Sequence, residues 1–304
     1  MPISQLTTVG LAKEVAWGTG LAPTQFLPVT KHDFHDEVKR ILDEGKRGVA
    51  AKDFGAYTGV KSSSLDYGGD FFPDVPPFFL LGILGQDGVT GVGPYTHAFT
   101  LANIPPSLTI YDYYAVAQRQ FAGAQVEEID LKWGTDATTA IEWAVKLKAM
   151  ASATTTLATP TIGTMAPLLG WQAALTIGGA ANLHMLGGDL SLKRPVNLVF
   201  GANNSQAPSA REVGPLEVTG KLLFYANDES EILHYLNNDQ PVVSVNFTSG
   251  TNQLTLQMSK CDFEDAKVDR GSEYVRVEAQ LRAHYNAADA GPCKITVINS
   301  VASY

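Results

Sequence analysis

A strand running straight into a short helix is the feature that most limits how this chain can fold, because the same plan is written twice. Residues 220–239, GKLLFYANDESEILHYLNND, set an apolar strand ahead of Asp228, a good N-cap. Glu231, three residues on, completes a capping box. Ile232, Leu233 and Leu236 then fall on one apolar stripe at helical spacing, which predicts a helix of about three turns or fewer with these residues as its core anchors. On that expectation Leu233→Asp should prevent soluble folding. The weaker copy is residues 69–85, GDFFPDVPPFFLLGILG: a glycine, a short strand, a Pro/Asp break and an apolar run. Within it, residues 78–84 predict a brief buried helix entered through Pro73, Pro76 and Pro77.

Strands dominate what surrounds the two helices. Ile141, Trp143, Val145, Leu147 and Ala149 alternate with Glu142, Lys146 and Lys148, the pattern of a strand buried on one face and wet on the other. Further strands are expected at 96–101, 107–114, 124–133 and 139–150, then at 216–225, 241–248, 253–260, 263–270, 274–285 and 295–298. Residues 171–177 and 186–192, either side of a Gly178-Gly179 turn, read as a hairpin. Residues 202–213 read as an irregular loop. The mixed-charge segment 31–48, KHDFHDEVKRILDEGKRG, predicts either a short exposed helix or a long hairpin tip, serving as solvated loop or as contact surface.

Laid side by side, the halves follow one order: strand, long loop, strand, strand, helix, four strands. Residues 107–110 then face 253–256, residues 121–126 face 263–268, and residues 145–149 face 279–283. The expected fold class is mainly β, an antiparallel β-sandwich with flanking short helices, internally duplicated. Its divisions are a first half over 1–150, a Thr/Ala/Pro-rich linker over 151–170 and a second half over 171–304. Open sheets leave edge strands, and a chain can close them by pairing with copies of itself.

Composition narrows function. A chain of 304 residues with net charge −9 lacks the basic surface that grips nucleic acid. No run approaches the roughly 18 apolar residues of a membrane span, and the N-terminus has no standard export signal, so a soluble protein is expected. Cys261 and Cys293 are too few for a disulfide framework; cytosolic assembly is the default, and their pairing stays open.

Catalytic motifs are absent from the sequence. His32 and His35, three apart, would suit a metal on a helix, but no third ligand accompanies them. The glycine-rich residues 85–94 lack the ending of a phosphate loop and read as a flexible turn. Glu127, Glu128 and Asp130 could serve a glycosidase, although alternating carboxylates are more often the wet face of a strand.

Several segments together resemble the major tail tube proteins of long-tailed, siphovirus-type bacteriophages: GLAKEVAWGTGLAPTQFLPV, GGDFFPDVPPFFLLGILG, GAQVEEIDLKW, LSLKRPVNLVFG and GPLEVTGKLLFYANDESEILHYL. The resemblance implies a virion structural protein, not an enzyme and without cofactors. Its copies assemble in the host cytoplasm into stacked rings around a DNA-ejection channel, joining strands in a ring-shaped inner β-barrel. It assigns residues 30–48 to a loop contacting the next ring, naming His35, Asp36, Glu37, Lys39, Arg40, Asp43, Glu44, Lys46 and Arg47, and residues 1–29 to an N-terminal arm. Glu127, Glu128, Asp130, Asp265 and Asp269 become candidates for an acidic lumen. Implied partners are further copies of the chain, the tape measure protein, the tail terminator, baseplate or distal tail proteins, and DNA in passage. With two domains per chain, a trimeric ring of pseudo-sixfold symmetry is expected over a hexamer. A polysaccharide-binding or glycan-degrading β-sandwich is the alternative.

Overall fold

The computed structural model describes residues 3–135, 139–163, 165–271 and 274–304. In chain order the first half gives β1 (Thr8–Lys13), β2 (Gln25–Leu27), β3 (Lys31–Asp43), β4 (Gly55–Asp70), α1 (Pro77–Leu84), β5 (Gly85–Thr90), β6 (Tyr95–Leu101), β7 (Leu108–Tyr113), β8 (Gln118–Gly134), β9 (Glu142–Met150) and β10 (Ala153–Thr155). The second gives β11 (Ala173–Ile177), β12 (Ala180–Asn182), β13 (Met185–Lys193), β14 (Val196–Val199), β15 (Ala210–Val213), β16 (Glu217–Tyr225), α2 (Ser230–Asn237), β17 (Val243–Ser249), β18 (Asn252–Met258), β19 (Cys261–Asp269), β20 (Arg276–Ala283) and β21 (Lys294–Asn299).

Two antiparallel sheets make a β-sandwich. The larger contains an unbroken run β3-β4-β9-β8-β13-β16-β20-β19, and the N-terminal part of β8 carries a branch through β7, β1 and β2. The smaller, of seven strands, runs β12-β11-β17-β18-β21-β6-β5. It mixes the halves, since β21 pairs β18 on one side and β6 on the other.

Period-two alternation puts the core between the sheets. Along β9, Trp143, Val145, Leu147 and Ala149 are buried while Glu142 and Lys146 are exposed. Helix α1 is apolar all round and buried at every position, with Phe79 stacked on Trp143 at 5.3 Å. Tyr304 comes back from the far end of the chain to pack edge-on against Phe78 and His97 of the first half. One apolar cluster therefore runs through both halves.

Several sequence expectations need correction. Of the two forms expected for residues 31–48, the helix is not found and the long hairpin is: residues 31–43 are β3, its outer arm, paired with β4. His32 and His35, an odd number of positions apart on a strand, consequently point to opposite faces. Residues 85–90 are not a flexible turn but β5, hydrogen-bonded to β6. The Gly178-Gly179 turn joins β11 to the short β12, whereas residues 186–192 belong to β13 in the other sheet. Within the expected loop 202–213, β15 pairs with β14.

Leu147 sits between Leu65 of β4 and Val126 of β8 and is 1 % exposed. Leu147→Ala should cost about 2–5 kcal/mol, read as a shift in the denaturant midpoint. A loss below about 0.5 kcal/mol would mean this position is not core.

Candidate assembly surface

The eight-strand run consists of one pairing pattern used twice. In the first unit β3 pairs β4, β4 pairs β9 and β9 pairs β8; in the second β13 pairs β16, β16 pairs β20 and β20 pairs β19. Each unit carries its helix after the second strand and packs it on the last, α1 on β8 and α2 on β19. The bulges agree as well. Glu127 is the extra residue between Val126 and Glu128 where β8 meets β9, and Glu264 is the extra residue between Phe263 and Asp265 where β19 meets β20.

These registers superpose Val126 on Phe263, Glu128 on Asp265, Leu131 on Val268 and Leu147 on Leu281. The sequence match of 145–149 with 279–283 agrees with this register. The match of 121–126 with 263–268 is five residues out of step, and that of 107–110 with 253–256 joins β7 to β18, which lie in different sheets.

The face of this run turned away from the second sheet carries all five predicted lumen carboxylates, but it is a lattice of ion pairs rather than a bare acidic wall. Glu128 accepts from Lys146 at 2.6 Å and pairs with Lys193 at 2.9 Å. Glu127, on the bulge, meets Lys148 at 2.8 Å, and Asp265 meets Lys267 at 2.9 Å. Asp269 accepts the Gly271 N–H at 2.8 Å, and Asp130 makes no ion pair among the described residues. Lys221–Glu278, Lys31–Asp66 and the pairs of Arg282 with Glu217 and Glu264 extend the pattern. Except for Asp265 and Lys267, which share β19, each cation sits on the strand next to its carboxylate, so the pairs cannot be read from spacing along the chain. Burial acts to raise the Glu128 carboxyl, but the hydrogen bonds from Lys146 and Lys193 prevail and hold it below the ordinary range.

The predicted contact loop divides into three parts. His35 and Glu37 point from β3 to the wet face, while Asp36 turns the other way and accepts from Ser63 Oγ and from the Ser152 N–H and Oγ. Asp36 is thus engaged inside the chain and is no free contact residue. Lys39 stands where the register shifts between Val38 and Arg40, one residue against Gly59 and Val60 of β4, which carries the bulge. At the tip, Asp43 pairs with Arg47, whose guanidinium lies over the Phe54 ring, and Glu44 pairs with Lys52; Lys46 lies exposed between these pairs. Ile41, Leu42 and Tyr57 are all more than half exposed along this hairpin.

Helix α2 does not sit as its sequence suggests. The N-cap is Glu229, without a side-chain cap, while Asp228, one residue ahead, accepts the Ser230 N–H at 2.9 Å; Glu231, instead of closing a capping box, is buried and accepts from Asn182 Nδ2. Only Ile232 of the three expected anchors packs on the core. Leu233 and Leu236 are 46 % and 67 % exposed, because Glu231 and His234, the latter 5.2 Å from the Phe263 ring, take the inward side. Their apolar stripe faces outward.

A family model described as phage tail tube protein matches residues 4–283. The chain belongs to that family: it is a structural tail tube subunit, a component of the virion tail that self-assembles into a tube. A search of curated proteins returned no match. Among the described residues no helix is long and apolar enough to cross a membrane, and no group of three or more His, Cys, Asp or Glu is arranged to hold a metal.

Two measurements check these placements. Leu233→Asp should leave folding intact, its melting temperature close to that of the wild type; an insoluble protein would show the helix face to be core after all. The lowered Glu128 carboxyl stabilises the fold above its unfolded value near 4.5, and that contribution is lost as pH falls through the folded value. The stability advantage of wild type over Glu128→Gln should therefore be constant near neutrality, begin to shrink as pH approaches 4.5 and be gone once pH has fallen below the folded value.

Proposed function

We propose that three copies of the chain close into a ring, that the wet face of the eight-strand run lines its channel, and that rings stack into the tail tube of a long-tailed, siphovirus-type phage. The repeated four-strand unit is the observation that carries this reading. It gives each chain two tube-like halves, so three chains supply six. The run ends in β3 on one side and β19 on the other, each with one partner in the sheet. Eight alternating strands leave these two edges antiparallel to one another, so joining β19 of one copy to β3 of the next preserves the alternation all round.

In this reading the hairpin of β3 and β4 reaches the next ring; the segment ahead of β3, expected as an arm, is held in the fold by β1 and β2, with Val9, Leu11 and Leu27 in the core. The tape measure protein occupies the channel until DNA replaces it, and terminator and baseplate or distal tail proteins meet the two ends. Assembly takes place in the host cytoplasm, consistent with two buried, free thiols. The role is structural rather than catalytic, and nothing in the geometry or the comparisons supports glycan binding. A wall of paired charges lets DNA slide: most of its cations are held by carboxylates, which leaves few to grip phosphates.

Counting chains per ring by electron microscopy of assembled tubes tests the stoichiometry; three supports the proposal and six overturns it. Replacing Glu128 and Asp130 by Lys strips the partner from Lys146 and Lys193 and adds positive charge. Such tubes should assemble yet release DNA more slowly, and unchanged ejection kinetics would refute the sliding-wall role of these residues.

A further inference from the structure

The chain contains, within itself, one junction between its two four-strand units. We infer that this internal junction sets the register of the junction between copies: β3 of one copy lies on β19 of the next as β13 lies on β8, with Phe34 opposite Val268 and Glu37 opposite Asp265. The inference rests on the ring proposed above and adds to it a residue-level interface.

The correspondence comes from the registers alone. In the internal junction Lys193 stands opposite Glu128 and Leu190 opposite Leu131. Pairing within each unit superposes β13 on β3, Leu190 on Phe34 and Lys193 on Glu37, because Leu190 lies opposite Gly220 and Phe34 opposite Leu65, and both of these lie opposite the equivalent leucines 281 and 147. The matching bulges superpose β19 on β8, as above.

The monomer bears the marks of an interrupted junction. Leu131 is buried by its neighbour in β13, whereas Val268 in the same position is 41 % exposed. Phe34, packed on Phe121 at 5.1 Å, is the apolar residue the neighbour would bring to it. On the wet face the register sets Lys267 diagonally between Asp33 and Glu37 of the next copy, close enough for long side chains to meet. Those carboxylates would otherwise face only Asp269 and Asp265.

Side-chain spacing makes the register open to a direct test. The Arg194 N–H donates to the Glu127 carbonyl, so Lys193 and Glu128, next along, form a pair without mutual backbone hydrogen bonds, the closer kind. Their counterparts Glu37 and Asp265 should be equally close, and Cα atoms about 4.5 Å apart are within disulfide reach. Background from Cys261 and Cys293 is low, since burial pushes both thiols up to about 12.

The test is mild oxidation of the full-length double variant Glu37→Cys with Asp265→Cys, assembled into tubes. The expected result is conversion of the monomer band to disulfide-linked dimers and trimers on a non-reducing gel, with little linkage in the slipped variant His35→Cys with Asp265→Cys. Lys193→Cys with Glu128→Cys, closing within one chain, confirms that such a pair oxidises. Rings that form but link only through the slipped pair, or through neither, overturn the register and leave the ring itself standing. If neither variant nor wild type forms rings, the ring proposal fails and the register with it. Lys267→Glu gives a second reading: the chain should fold with wild-type stability and lose ring closure, and normal rings from it would count against the register.

Discussion

A run of hydrogen-bonded strands ends on either side in a row of backbone N–H and C=O groups that the sheet itself does not satisfy. Proteins that act alone cover, shorten or charge such edges. Here the outer edges are β3, thirteen residues long, and β19, nine residues long, and both remain open beside a buried core that is complete. Much else in the fold follows from keeping those edges straight and correctly spaced. The second sheet braces the run from behind, α1 fills the space between, and β21 ties the two halves so that neither can turn against the other.

Buried polar groups reinforce the same joint. Arg194, 3 % exposed at the end of β13, donates to the carbonyls of Gly214, Ile83 and Asn103, linking the second unit to the last turn of α1 in the first. Glu14 on the N-terminal side accepts from Ser107, Thr109 and the Gly123 N–H, binding the arm to β7 and β8. Each charge is compensated by several partners, as burial requires. What is fixed is the relation of the two units, and that relation is what a ring would have to repeat.

Local periodicity was the legible part of the chain. Alternation along Ile141–Met150 placed β9 and its buried face correctly, and the apolar run after Pro77 located α1. Partner choice was less legible. Residues 186–192 read as the return arm of the Gly178-Gly179 turn, yet they join β8 and β16 in the opposite sheet, because Leu190 and Leu192 find Leu131 and Ile129 there. The Leu233 and Leu236 stripe had the right spacing for a core face but no information on which way it turns; the Asn182 bond to Glu231 decided that. On the wet face five carboxylates were visible in sequence, but the pairing of Glu127 and Glu128 with Lys146, Lys148 and Lys193 forms across strands, beyond what spacing along the chain can reveal.

The bulges at Glu127 and Glu264 have a consequence of their own. An extra residue on one strand bends it and tightens the local twist. Because the bulge recurs at the same point of each unit, each arc of the sheet receives the same increment of bend. In the ring proposed above, the placement of these two glutamates would then contribute equally from each half to the curvature of the wall.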